Sequence, residues 1–170
     1  MKNLARTTAF CVLTMILSGC GFQLKGTHAH ADSGSASLRG RSVQIASSQP
    51  RSALITALSQ QLSSAGARLD TGDSQALVLT LGTETFEQRN LSLTAQARSA
   101  EVELTLSTYF TLTRGNRTLL ETTNVSVTEQ FYNDPRNVVG KTEELQLLRT
   151  EMRAELAAQI VRRIAFSFGN

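Results

Sequence analysis

The clearest candidate for chemistry in this sequence is a lipobox, Leu17-Ser18-Gly19-Cys20. Small residues beside the cleavage point admit a peptidase, and the thiol of the cysteine that follows accepts lipid. Lys2 and Arg6 form a basic leader, and the apolar run over 9–17 is shorter than the roughly 20 residues of a transmembrane helix. The pattern predicts that a lipoprotein signal peptide over 1–19 is removed and that Cys20 is lipidated. The alternative is a signal peptide that contains a cysteine by chance.

Processing at this point bounds what the mature chain can be. Removing 19 of 170 residues leaves 151, which suits a single domain. Cys11 leaves with the leader and Cys20 is consumed by lipid, so no thiol remains for a disulfide or a metal site. Loss of Lys2 and Arg6 leaves 15 basic against 14 acidic residues, a net charge of about +1. This balance argues against a nucleic-acid partner, because nucleic-acid binders carry a marked positive excess.

Catalytic chemistry is not expected. His28 and His30 lie in a polar stretch before the predicted fold, so a Ser-His-Asp arrangement would lack a base held by the fold. We interpret them as solvated linker side chains, since no third metal ligand lies nearby. Glu101 and Glu103 share one strand face and are interpreted as solvated glutamates rather than a catalytic pair. We predict no enzyme, no metal and no cofactor other than the lipid on Cys20.

Hydrophobic periodicity predicts the elements that follow. Residues 20–40 have no apolar period and form a predicted lipidated tether, and 41–170 form one domain. A strand over 42–48 precedes a helix capped by Ser52 and stopped by Gly66. A strand over 76–86 then leads into 87–99, which we predict to be a long polar hairpin loop; the alternative is such a loop with frayed strand ends.

The second half of the chain has the strongest pattern. Apolar and polar residues alternate over 100–113, a turn at 114–117 follows, and 118–132 returns as a strand. Thr142 is the predicted cap of a long last helix, whose stripe of apolar residues predicts core packing. The order β-α-β-β-β-α predicts an α+β fold with two helices packed on one face of a four-stranded mixed sheet.

Two segments resemble a known family. Lipidated Cys20 is followed by Gly21-Phe22-Gln23-Leu24-Lys25-Gly26, which resembles the mature amino terminus of LptE, the LPS-assembly lipoprotein family of Gram-negative outer membranes. The segment Phe131-Tyr132-Asn133-Asp134-Pro135, with Lys141 before the last helix, is similar to the same region of that family, although Asp134 stands where the family often has Asn. The predicted order of elements also agrees.

This resemblance implies a function. LptE-like proteins plug the β-barrel of an LptD-type partner, and the pair places lipopolysaccharide in the outer leaflet. It implies a lipid-anchored protein of the outer membrane, facing the periplasm or inside the barrel, and Gly21 is consistent with sorting there. The alternatives are a free-standing outer-membrane lipoprotein with a structural or cell-wall-binding role, and a hydrolase with an unrecognised site.

The resemblance also implies that loop cations hold lipopolysaccharide phosphates through charge-assisted hydrogen bonds. Lys141 matches the family's basic position before the last helix. The family's second basic position aligns near Ala95, so Arg98 and Arg89 are offered in its place, and Arg136 is a further candidate beside Lys141.

Overall fold

A computed structural model describes residues 38–69, 72–73, 75–93, 99–132 and 141–168. The predicted signal peptide, Cys20 and the histidines at 28 and 30 lie outside these ranges. Leu38 is fully buried in the core, and the amide of Gly40 donates to the Gly66 carbonyl at 2.8 Å. The folded domain therefore extends back at least to Leu38, inside the range predicted as tether.

The described chain folds into six strands and two helices, and its sheet is mixed. In chain order they are β1 (Ser42–Ser47), α1 (Ala53–Ser64), β2 (Arg68–Leu69), β3 (Leu77–Leu81), β4 (Thr85–Leu93), β5 (Ser99–Arg114), β6 (Arg117–Tyr132) and α2 (Lys141–Phe166). Strand β1 pairs in parallel with β2 and β3, whereas β5 pairs antiparallel with β3, β4 and β6. The predicted class, two helices on a mixed sheet, is confirmed.

The sheet has six strands rather than the predicted four. Strands β3 and β4 both pair with β5: β3 pairs along residues 110–114 of β5, and β4 pairs along residues 99–107. The two strands therefore lie one after the other along the same side of β5. Strand β2 adds two residues at the outer edge of β1. The prediction of a polar loop over 87–99 is wrong for its first part, because β4 runs through Leu93 and pairs with β5. Polar residues suit this strand since it lies at an edge of the sheet, beyond the end of β1.

The core lies on one face of the sheet. The alternating residues of β5 that were predicted to be inward are all buried: Val102, Leu104, Leu106, Thr108, Phe110 and Leu112. Both helices pack on this face through Leu54, Leu58, Leu62, Met152, Leu156, Ile160 and Ile164. The opposite face carries the alternate polar residues of β5 and is open.

Local signals set the ends of α1. The Ser52 hydroxyl accepts a hydrogen bond from the Ile55 amide at 3.3 Å, which makes it the N-cap that the sequence predicts. Gly66, with φ +82°, follows the helix in the left-handed conformation that ends many helices. For α2 the prediction differs, because Thr142 lies inside the first turn and the helix begins at Lys141.

Candidate functional site

Lys141 is the first residue of α2 and is half-buried. It is followed by Glu143 and Glu144 in the same turn, where carboxylates suit the positive end of the helix dipole. A lysine at the positive end of the dipole stabilises the helix less than these carboxylates do. Helix stability therefore does not explain why residue 141 is a lysine. The lysine places a positive charge at the start of α2.

Arg89 lies on strand β4, not on a loop as the sequence predicted. Its guanidinium donates to the Glu103 carboxylate from Nε at 3.1 Å and from Nη2 at 2.8 Å, across the pair of strands on the open face. Its side chain is 71% exposed, so this ion pair contributes little to stability. Arg89 thus has a carboxylate partner on the open face, whereas Lys141 begins a helix that packs on the other face. Arg98, Arg136 and Cys20 lie outside the described residues.

A second charged cluster, which the sequence analysis missed, joins the sheet to α2. Arg153 donates two hydrogen bonds to the Glu84 carboxylate, both at 2.8 Å, and Arg149 donates a third at 3.1 Å. The Glu84 side chain is only 10% exposed. The Arg149 guanidinium also lies 4.5 Å from the centre of the Phe86 ring, a cation–π contact. The sequence offered only a weak signal for this cluster, namely that Arg149 and Arg153 are four residues apart and so share one face of a helix.

The contacts in this cluster favour the charged forms of Glu84 and Arg153. Burial alone would raise the pKa of Glu84, but the hydrogen bonds and positive charges of Arg153 and Arg149 outweigh burial and lower that pKa from its ordinary 4.5. Glu84 in turn raises the pKa of Arg153. Glu84 and Arg153 are therefore both charged at neutral pH, and the cluster has the geometry of a structural clamp, in which both arginines donate to one carboxylate.

The clamp lies at the break between β3 and β4. The Gly82 amide donates to the Tyr109 carbonyl at 2.8 Å, and the buried Thr108 hydroxyl donates to the Gly82 carbonyl at 3.1 Å. These bonds satisfy backbone groups that leave the regular ladder, and they explain why a threonine interrupts the apolar face of β5. A Cβ at Gly82 would lie 3.2 Å from the Tyr109 oxygen. The break is thus held by hydrogen bonds and by the clamp.

Metal sites and membrane-spanning helices are both absent from the described ranges. Those ranges contain no group of three or more His, Cys, Asp or Glu side chains placed to hold a metal ion. Neither of the two helices described combines the length and hydropathy needed to cross a bilayer.

Comparison with known proteins assigns this architecture to a family. A family model named LptE and described as Lipopolysaccharide-assembly matches residues 40–164. The chain belongs to the LptE family. The LPS-assembly lipoprotein LptE of Photorhabdus laumondii is 26% identical over 165 residues, which cover 96% of this chain and 87% of that relative. The membership in the LptE family that the sequence resemblance implied is therefore confirmed.

Solved structures with the same fold extend the LptE comparison. Rare lipoprotein B of Shewanella oneidensis superposes with a TM-score of 0.68 at 24% identity, covering 75% of this chain and 96% of that one. Lipoprotein B of Nitrosomonas europaea has a TM-score of 0.65 at 21% identity, over 85% and 90% of the two chains. At these identities the structures support the fold alone.

Proposed function

We propose that this LptE-family chain is an outer-membrane lipoprotein that assists an LptD-type β-barrel in delivering lipopolysaccharide to the outer leaflet. The observation that carries the proposal is the family match across residues 40–164, which spans nearly the whole described domain. The lipobox ending at Cys20 supports an anchored protein, and the P. laumondii relative is itself named an LPS-assembly lipoprotein. The proposed role is binding and placement, without a catalytic step.

Lys141 is the residue to which we assign lipopolysaccharide binding in this role. It is a half-buried cation at the beginning of α2, directly after the segment that contains Arg136. Phosphates of lipopolysaccharide are suitable partners, since an ammonium forms charge-assisted hydrogen bonds with phosphate oxygens. Arg98 and Arg136 remain candidates beside it. Arg89 is the weakest, because Glu103 already accepts two of its hydrogen bonds.

The test is lipopolysaccharide binding by the full chain with Lys141→Asp, with Arg51→Asp as the control. Lys141→Asp places a carboxylate where the helix dipole favours one, so the variant should fold and its effect reports on binding. Arg51→Asp makes the same charge reversal at an exposed residue just before α1. We expect Lys141→Asp to weaken binding about tenfold and Arg51→Asp to change it less than twofold. Equal binding by wild type and Lys141→Asp would remove Lys141 from the site.

Arg98→Asp and Arg136→Asp extend the test to the two candidates outside the described residues. If either residue shares the site, its reversal should weaken binding as Lys141→Asp does. If both variants bind like wild type, these arginines have no part in lipopolysaccharide recognition.

A further inference from the structure

A groove of about 400 Å³ lies between the last turns of α2 and the irregular part of β6. It is lined by Phe110, Leu120, Thr123, Arg162, Arg163 and Phe166. Its volume falls within the range of about 300–1,000 Å³ that is usual for ligand pockets. Two of its lining residues flank a register shift: opposite Phe110 and Leu112 of β5, β6 passes from Thr123 to Leu120 and so has one extra residue.

The interior of the groove is apolar and partly open to solvent. Phe110 is buried on the core face of β5, and Leu120 is half-buried against the core. Phe166 is 71% exposed, the largest exposed fraction among the large apolar side chains of the described chain. Leaving such a ring in water forgoes a substantial hydrophobic gain, which an apolar ligand in the groove would recover.

Two cations border this apolar surface. Arg162 donates to Glu155 at 2.8 Å, and Arg163 donates to the Asn124 carbonyl at 2.8 Å. Each of these hydrogen bonds uses one nitrogen of a guanidinium that has five N–H donors, so both arginines retain donors for a further acceptor. An apolar groove with two guanidinium groups beside it is complementary to a ligand that joins a hydrocarbon chain to an anionic group.

We propose that this groove binds an acyl chain of lipopolysaccharide, with Arg162 and Arg163 donating to an adjacent phosphate. The proposal rests on the proposed function, from which it takes the ligand, and it adds a second contact. Lys141 and Arg162 are 21 residues apart on one helix, so about 32 Å separates them along its axis. Lipopolysaccharide is therefore bound at both ends of α2, by a cation at the first turn and by an amphipathic groove at the last.

Photocrosslinking in living cells tests this site in the full chain. A benzoylphenylalanine at Phe166 places the reactive ketone at the groove with little change of shape. The control is the same residue at Tyr109, which is 55% exposed on the open face of the sheet and does not line the groove. We expect a lipopolysaccharide adduct at 166 with about tenfold greater yield than at 109.

A second experiment fills the groove with a bulky side chain. Thr123→Trp introduces a large ring at a lining position, and Thr122→Trp introduces the same ring at the exposed neighbouring residue, which does not line the groove. With the probe at 166, Thr123→Trp should lower the adduct yield about tenfold and Thr122→Trp less than twofold. Arg162→Gln with Arg163→Gln should also lower the yield, and circular dichroism reports whether each variant is folded.

The outcomes separate the two proposals. If wild-type protein co-purifies with lipopolysaccharide but the adduct at 166 is missing, equals that at 109, or contains only phospholipid, the groove proposal is overturned and the proposed function stands. If Thr123→Trp is folded and its adduct yield is unchanged, the groove is likewise not the binding site. If neither co-purification nor any adduct yields lipopolysaccharide, the proposed function fails as well.

Discussion

At the scale of single residues, Glu84 is the side chain that ties the sheet to α2. It accepts hydrogen bonds from two arginines of α2 while lying in the break between β3 and β4. Glutamine at this nearly buried position keeps one acceptor oxygen, but it loses the charge and presents an NH2 donor to guanidinium donors. We predict that Glu84→Gln lowers the free energy of unfolding by about 2 kcal/mol, measured by urea denaturation.

Glu103→Gln is the matched control for this substitution. It removes the same kind of charge from an arginine pair, but the partner Arg89 is 71% exposed. We expect it to change the free energy of unfolding by less than about 0.5 kcal/mol. Equal losses for the two variants would show that the clamp stabilises no more than an ordinary surface pair.

The same carboxylate predicts how stability depends on pH. The pKa of Glu84 is lowered in the fold, so its contribution is fully present above its unfolded value of about 4.5 and is lost as pH falls through the lower folded value. The difference in unfolding free energy between wild type and Glu84→Gln should therefore be constant at neutral pH and shrink below about pH 4.5. A difference that is the same at pH 3 and pH 7 would contradict this assignment.

Cys20 carries the prediction of anchoring. Mass spectrometry of protein extracted from membranes should show an amino terminus at Cys20 with covalent lipid, and Cys20→Ala should give protein that lacks the lipid and retains residues 1–19. Wild-type protein with an intact leader or a free thiol at Cys20 would contradict the lipobox prediction.

At the scale of elements, the end of α1 depends on a glycine for two separate reasons. Gly66 has φ +82°, and a Cβ there would lie 3.2 Å from the Arg39 Cα. Gly40 has φ +74°, but a Cβ added there would meet no atom within 4 Å, so this glycine isolates the conformational cost. We predict that Gly40→Ala costs about 1 kcal/mol of unfolding free energy and that Gly66→Ala costs more, by chemical denaturation. Equal costs would show that the Arg39 contact is relieved without penalty.

The elements predicted well are those whose burial differs between their two faces. Strand β5 alternates strictly, and α1 has both of its end signals in Ser52 and Gly66, so pattern alone identifies them. Strand β4 could not be predicted in this way, because an edge strand with little burial has no apolar period. Its pairing depends on the tertiary position of β5, which local sequence does not encode.

The candidate site, like the fold, could be predicted only in part from local sequence. The basic character of the start of α2 was predicted from Lys141, but the Glu84 clamp joins residues 65 and 69 positions apart, and no local pattern reveals such contacts. The prediction that Arg89 belongs to a loop failed together with the loop itself. The groove beside Phe166 could not be predicted either, because its lining residues come from β5, β6 and α2, which only the tertiary fold brings together.

At the scale of the whole molecule, the two faces of the sheet differ in the described domain, and so do the two ends of α2. One face of the sheet is covered by both helices, whereas the open face presents polar side chains of β4, β5 and β6, with Tyr109 and Tyr132 also exposed. Lys141 and the groove lie at opposite ends of α2. A domain of this form can contact a protein partner and a lipid ligand at separate surfaces, which the proposed assembly with a barrel requires.

Co-isolation of the full, lipidated chain from detergent-solubilised outer membrane tests the central claim most directly. We predict that the affinity-purified chain brings with it a β-barrel protein of the LptD type and lipopolysaccharide, and that it resists protease only while the barrel is present. A chain that extracts alone in mild detergent, without barrel or lipopolysaccharide, would contradict the account and favour a free-standing lipoprotein.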